Sequence, residues 1–397
     1  MNKMSSESRN LLIPGLLVFA NLAFAINQFN FPSLYSLIAE GFHQNVSGLG
    51  TATSVYFVAI ALVEIPGGII SVKLGPKKMV LAGTVISFSS NVLSAFLPQF
   101  NLIVASRAVA GIGNGLAFPS LLVALARNFR RGSEALSVGL MNGAFNLGGM
   151  LGLFGWAIFG TIVGWRASVL IAGLLGLASS IPLFFVLPKD GLKPDFRIRI
   201  EHLTSVIFRR EVVTIVLSLF GIAWGVSVSW GFLVYYLEGT MDIGPGLAGL
   251  TGSLSLIFSL LVSPIIGRRY DKFGNARKWV FVAGAITAVG IACASIPSLF
   301  FAMVSSSVVG IGFGVGFTVG LSAARDLCSQ NIEYESMAVS WVDGLSLFGS
   351  FFAPLVFASI VVSSGYRDGW LLAALFGILL TLPIITMKRQ KLTQVGA

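Results

Sequence analysis

Three side chains could carry charge or protons in places where charge is costly. Glu64, Arg107 and Asp343 each lie well inside an apolar run. On membrane-insertion scales an ionised residue at the middle of such a run costs about 2.5–3.5 kcal/mol, so three cost roughly 8–10 kcal/mol unless paired, neutralised or reached by water. A buried guanidinium offers two uses. Arg107 can hold an anionic substrate or tune a proton-carrying acid, or it can tie neighbouring helices together through backbone carbonyls. The carboxyls also leave two uses open. Brought together in a buried site, Glu64 and Asp343 suit the uptake and release of a proton, or they serve as a solvated gate acid or a hydrogen-bonded latch.

The elements that must hold these groups follow from the apolar pattern. Runs of spanning length fall near 11–38, 47–71, 78–97, 100–126, 135–162 and 165–187, and again near 212–237, 245–267, 278–297, 299–324, 336–362 and 368–387. A run of about 20 residues at about 1.5 Å rise crosses a hydrocarbon layer of about 30 Å, and a helix satisfies its own backbone groups in lipid. With 55% hydrophobic residues, 11% charged residues and a mean hydropathy of +0.88, the chain is expected to be an integral membrane protein. Residues 11–25 end in Ala23-Phe24-Ala25 like a cleaved leader, but the run continues past Phe29 and its loss would upset the even count of spans, so it is read as the first span.

The net charge of +10 is a topological signal. All but Arg107, Arg166 and Arg367 of the 26 Lys and Arg residues fall at the termini, in the even-numbered loops or in the segment 188–210. Cytoplasmic loops hold positive charge, so both termini and that linker are expected inside, in a cell membrane, and nucleic acid is not expected as a partner. The linker carries Lys189, Lys193, Arg197, Arg199, Arg209 and Arg210 and could form an amphipathic surface helix. Cys293 and Cys328 suggest no disulfide framework.

The two sets of six spans are copies. Val109-Ala110-Gly111-Ile112-Gly113-Asn114-Gly115-Leu116-Ala117-Phe118 returns as Val308-Val309-Gly310-Ile311-Gly312-Phe313-Gly314-Val315-Gly316-Phe317, a shift of 199 residues with six of ten positions identical. Gly68 with Gly75 returns at the same shift as Gly267 with Gly274, while Gly143 and Gly164-Trp165-Arg166 return at 201 as Gly344 and Gly365-Tyr366-Arg367. The expected architecture is all-α, with 12 transmembrane helices in two pseudo-symmetric six-helix bundles: residues 1–187, a cytoplasmic linker 188–210, and residues 211–397. The Gly-x-Gly-x-Gly copies lack the strand and the Lys-Ser/Thr of a phosphate cradle and are read as close helix contacts.

These motifs resemble those of the major facilitator superfamily. Gly68-Ile69-Ile70-Ser71-Val72-Lys73-Leu74-Gly75-Pro76-Lys77-Lys78 is similar to the family's G-x-x-x-D-R/K-x-G-x-R/K loop, with Gly267-Arg268-Arg269-Tyr270-Asp271-Lys272-Phe273-Gly274 as a second copy. Glu64-Ile65-Pro66-Gly67 resembles the Q/E-I-P-x-G end of the second helix, and Arg107 before Gly111, Gly113 and Gly115 resembles R-x-x-x-G-x-G-x-G of the fourth. The resemblance covers essentially the whole chain. It departs at Val72, where the family has an acid that helps latch the halves; Asp271 keeps it in the second copy. What the resemblance implies is a central cavity lined by spans 1, 4, 7 and 10, rocking of the halves to give alternating access, and spans 2 and 11 facing one another. That pairing would bring Glu64 and Asp343 to one gate, able to couple protons or to replace the missing latch.

For the cavity itself, Asn21, Phe24, Gln28, Phe31 and Tyr35 fall on one side of span 1, with Phe118 on the Arg107 face of span 4. Phe220, Trp224, Ser227 and Tyr235 fall on one side of span 7. Faces of amides, hydroxyls and rings suit a mixed binding site. The expected function is secondary active transport of a small solute, coupled to protons or run as a uniport or exchange, by a monomer without cofactor or metal. Arg107 and the amides favour a small organic anion or polar metabolite; the rings favour export of hydrophobic drugs. A membrane sensor of the same fold is the alternative of another class. An enzyme is not expected, since the histidines, His43 and His202, fall in a loop and in the linker.

Overall fold

The computed structural model describes residues 6–128, 134–187, 208–327 and 332–387, and among these the secondary structure is helical. The linker at 188–207, with its expected surface helix, lies outside the described residues. The first span is built from α1 (Ser6–Gln28), α2 (Asn30–Ser33) and α3 (Tyr35–Phe42), followed by α4 (Val46–Leu74), α5 (Pro76–Ser94), α6 (Phe100–Asn128) and α7 (Glu134–Val186). The second set comprises α8 (Arg210–Met241), α9 (Pro245–Phe273), α10 (Ala276–Cys293), α11 (Leu299–Leu327), α12 (Ile332–Ser364) and α13 (Tyr366–Thr381), which ends in a 3-10 turn, Leu382–Thr386.

Among the described residues, ten stretches are long and apolar enough to cross a membrane. The longest, Gly139–Val186, is broken at Gly164 (φ 80°, ψ 161°) and makes two crossings; α5, more polar, supplies the twelfth. The chain thus crosses twelve times, as the apolar runs indicate.

The glycines at the turns explain the repeat. Among the described residues, the four positive-φ glycines form repeat pairs: Gly75 (φ 95°) with Gly274 (φ 61°), and Gly164 (φ 80°) with Gly365 (φ 88°). Each lets one crossing helix turn into the next within one or two residues, at a backbone conformation that a side chain resists. The G-x-G-x-G copies do a different job. A methyl at Gly115 would lie 2.9 Å from the Ile60 carbonyl oxygen, and one at Gly314 would lie 3.0 Å from that of Ser259. Gly113 and Gly312 abut α5 and α10 in the same way, so α6 is wedged between α4 and α5, and α11 between α9 and α10.

The two halves meet along two seams. In one, α4 runs antiparallel to α12: the Gly50 position abuts Pro354 and Ala358, and 18 residues further on the Gly68 position faces Ser340. In the other, α7 runs antiparallel to α9, from Gly246 beside Ile158 to Gly143 beside Leu260, with Ser253 Oγ donating to the Met150 carbonyl at 3.1 Å. This register places the ends of α4 and α9 and the starts of α7 and α12 at one end of the bundle. We call it the basic end, because Lys73, Lys77, Lys78, Arg268, Arg269 and Lys272 gather there; the other is the distal end.

Candidate substrate cavity

A cavity of about 1030 Å³, partly continuous with solvent, lies between the halves. Its polar lining includes Asn21, Gln28, Glu64, Asn114, Asn142, Asn146, Ser263 and Asp343, and its rings are Phe24, Phe57, Phe118, Phe145, Trp230, Phe313 and Phe317. Glu64 and Asp343 arrive from opposite halves. Glu64 Cβ is 3.6 Å from where a Gly344 side chain would begin, so the α4–α12 seam holds the two acids on one wall. Glu64 is 1% exposed and its Oε1 accepts no hydrogen bond, while Asp343 is half-buried on the cavity surface. Their repeat counterparts, Ser263 and Asn142, line the same chamber, so each acid is matched by a neutral residue at its symmetric position.

Arg107 sits further toward the distal end, 2% exposed. Its guanidinium carbon is 3.9 Å from the Tyr56 ring centroid and 4.4 Å from that of Phe31. Contact of the cation with these two rings offsets part of the cost of burying it. Its Nε and Nη1 have no hydrogen-bond partner. A second, smaller space of about 270 Å³ reaches it, lined by Gln28, Phe29, Pro32, Thr53, Tyr56, Phe57, Trp230 and Gly231. Between the two spaces Asn114 Nδ2 donates to Tyr56 Oη at 2.7 Å and, more weakly, to Gln28 Oε1 at 3.4 Å. At the repeat position of Arg107, Ser306 Oγ instead accepts from the Ser255 backbone N–H at 3.1 Å, and Ser255 Oγ accepts from Trp230 Nε1 at 3.0 Å.

Among the other residues singled out from sequence, Asn21, Gln28 and Phe118 line the chamber, and Asn21 Nδ2 also donates to the Met141 carbonyl at 2.8 Å. Tyr35 stands behind the Arg107 compartment, its hydroxyl 2.5 Å from Thr53 Oγ1. Span 7 is turned differently from the expectation. Ala223, Val226 and Trp230 face the chamber, whereas Trp224 packs on Phe376 of α13, Ser227 Oγ donates to the Trp224 carbonyl, and Tyr235 lies outside both spaces. The reason is that α8 is buried on nearly every side, which leaves no polar stripe to mark its cavity face.

Trp230 and Asn114 are the residues that sequence reasoning missed. Both carried a signal. Trp230 is the repeat counterpart of Phe31 under Arg107, and Asn114 is the counterpart of Phe313, the point where the glycine copies diverge. Also unremarked in the sequence is Glu238, which with Ser33, Ser36, Thr161 and Asp242 lines a separate distal pocket.

The loop motifs lie at the basic end. Gly68 faces Ser340, Gly75 and Gly274 make the turns, and Lys77 Nζ donates to the Leu187 carbonyl at 2.7 Å. Gly267 faces Thr318, while Lys73, Asp271 and Lys272 are exposed. Beside Asp271, Tyr270 donates to Asp326 Oδ2 at 3.2 Å and ties α9 to α11. Among the described residues no group of three or more His, Cys, Asp or Glu could hold a metal ion.

A sequence model described as the Major Facilitator Superfamily matches residues 17–233 and again 215–394. The "Nitrite extrusion protein" of Bacillus subtilis is 23% identical over 341 residues, covering 85% of each chain. A "Probable sulfoacetate transporter" of Cupriavidus necator is 24% identical over 314 residues (73% of this chain, 71% of the relative), and the "Inner membrane transport protein YdhP" of Escherichia coli is 26% identical over 375 residues (84% and 94%). Among solved structures, a bacterial homolog of the human lysosomal transporter Spinster, inward-facing and unoccupied, superposes with a TM-score of 0.77 at 14% identity, covering 96% of this chain and 98% of that one. Two matches of one family model, on a doubled twelve-crossing bundle, identify the chain as an integral membrane transporter belonging to the major facilitator superfamily.

Proposed function

We propose that this transporter moves a small organic anion together with protons, by alternating exposure of the central cavity to the two sides of the cell membrane. The observation that carries the reading is Arg107: a buried cation with two unsatisfied N–H groups next to the chamber, in a protein whose relatives include ones named for nitrite and for sulfoacetate. An anionic head group would supply the missing acceptors with charge-assisted bonds. Glu64 and Asp343, one from each half, take the proton-handling role, because relative motion of the halves changes their surroundings. The Lys and Arg distribution supports a topology with the basic end and both termini in the cytoplasm. We propose that a monomer suffices, since both halves of the site come from one chain.

The rings around the chamber favour a second reading, proton-driven export of hydrophobic compounds. Counterflow in proteoliposomes separates the two. A panel of anions and neutral aromatic compounds is offered with and without a pH gradient, to the native protein and to Arg107→Ala. The anion reading expects exchange of an anion that Arg107→Ala abolishes. Exchange of a neutral drug that survives Arg107→Ala would replace it, and binding without any exchange would mark a sensor.

A further inference from the structure

The two spaces inside the protein share three lining residues, Gln28, Phe57 and Trp230. These three side chains stand between a larger compartment and a smaller, head compartment. The head compartment as it stands has room for little more than a water-sized group, so an acid group reaches Arg107 only when the hydrogen bonds of Asn114 to Gln28 and Tyr56 part. Arg107 lies over the Tyr56 and Phe31 rings and its Nε and Nη1 have no partner, so it has N–H donors to give to a carboxylate or sulfonate. The larger compartment begins at Trp230, whose ring lies edge-on to Phe313 at 4.9 Å, with Phe145 at 6.1 Å and Phe317 tilted against Phe313. These mutually packed rings form an aromatic wall against which a flat apolar body can lie. Beyond the rings stand Glu64 and Asp343, which offer no cation to a second negative charge on the ligand.

We infer that the substrate is an aromatic monoanion, its acid group on Arg107 and its ring in the chamber against the Trp230–Phe145–Phe313 wall, with the Gln28–Asn114–Tyr56 hydrogen bonds opening to admit the head. Inorganic oxyanions fill only the head compartment, and dianions are excluded. This deepens the proposed function and rests on its assignment of Arg107 to an anion.

The test measures binding to the purified full-length protein by calorimetry. The probes are 3-phenylpropionate, its neutral amide, acetate, nitrite and phthalate. Native protein is expected to bind 3-phenylpropionate roughly 10- to 100-fold tighter than acetate or nitrite, the factor that burial of one ring provides. The amide and phthalate should bind at least about tenfold more weakly than 3-phenylpropionate. Trp230→Leu should erase the advantage over acetate while leaving acetate binding intact, which a misfolded variant could not do. Arg107→Gln should remove binding of every anion. Equal affinity for nitrite and 3-phenylpropionate, or no binding of 3-phenylpropionate at millimolar concentration, overturns the aromatic inference and leaves the anion reading standing if nitrite or acetate still binds. An amide that binds as tightly as the acid, unaffected by Arg107→Gln, overturns both.

Discussion

Replacing Asp343 with Asn removes one of the two carboxyls on the cavity wall while keeping its size and shape. Two carboxyls limit the cycle to two protons. One proton carried down one pH unit supplies about 1.4 kcal/mol, a tenfold accumulation of substrate, and two supply about a hundredfold. The two cases differ electrically. A monoanion moving with one proton is neutral, so a membrane potential adds nothing; with two protons the complex carries one positive charge, and 100 mV adds about 2.3 kcal/mol, roughly 45-fold. Proteoliposomes loaded at pH 8 and diluted to pH 7, with potassium and valinomycin setting the potential, distinguish these stoichiometries. Asp343→Asn should lower the accumulation ratio about tenfold, from ten to one or from a hundred to ten, while counterflow at equal pH continues, because Arg107 and the ring wall are untouched. Reversing the pH gradient should deplete the vesicles of substrate with native protein, and about tenfold less with the variant. Undiminished accumulation by Asp343→Asn would refute the coupling role.

Other consequences can be measured independently. Cysteines at Gly68 and Ser340, in a background with Cys293 and Cys328 replaced by Ala, have Cβ positions 3.7 Å apart, within the disulfide range of about 3.5–4.5 Å; oxidation should lock the α4–α12 seam and stop counterflow, and reductant should restore it. Gly115→Ala places a methyl 2.9 Å from the Ile60 carbonyl and should cost about 1–3 kcal/mol, seen as a lower unfolding temperature, while Gly155→Ala, with open space around it, should cost nothing measurable. Gly164→Ala and Gly365→Ala meet no atom, so their cost of about 1–2 kcal/mol would come from backbone strain alone; a similar loss at Gly155 would remove that explanation.

The crossings were legible because a hydrocarbon layer enforces length and apolarity. The repeat was legible because its glycines answer constraints that no other residue meets, a positive φ at Gly75, Gly164, Gly274 and Gly365 or backbone contact at Gly115 and Gly314. Span 1 showed its cavity face because Asn21 and Gln28 are polar in an otherwise apolar run. Span 7 did not. Its cavity residues, Ala223, Val226 and Trp230, are chemically like the residues that pack its other sides, so rotation about its axis is fixed by neighbours such as Phe376 and Gly349 rather than by polarity. The meeting of Glu64 and Asp343 across 279 positions of sequence followed from the family resemblance alone, since no periodicity links residues in different halves.

The exchange of Arg107 for Ser306 has an evolutionary corollary. A protein assembled from two copies of the first half would set two guanidinium groups toward a common centre, and one assembled from two copies of the second would have none, with indole and hydroxyl groups in their place. Neither symmetric assembly would set a single guanidinium beside the chamber as this chain does. The turns have stayed twins while the charge beside the chamber is one-sided.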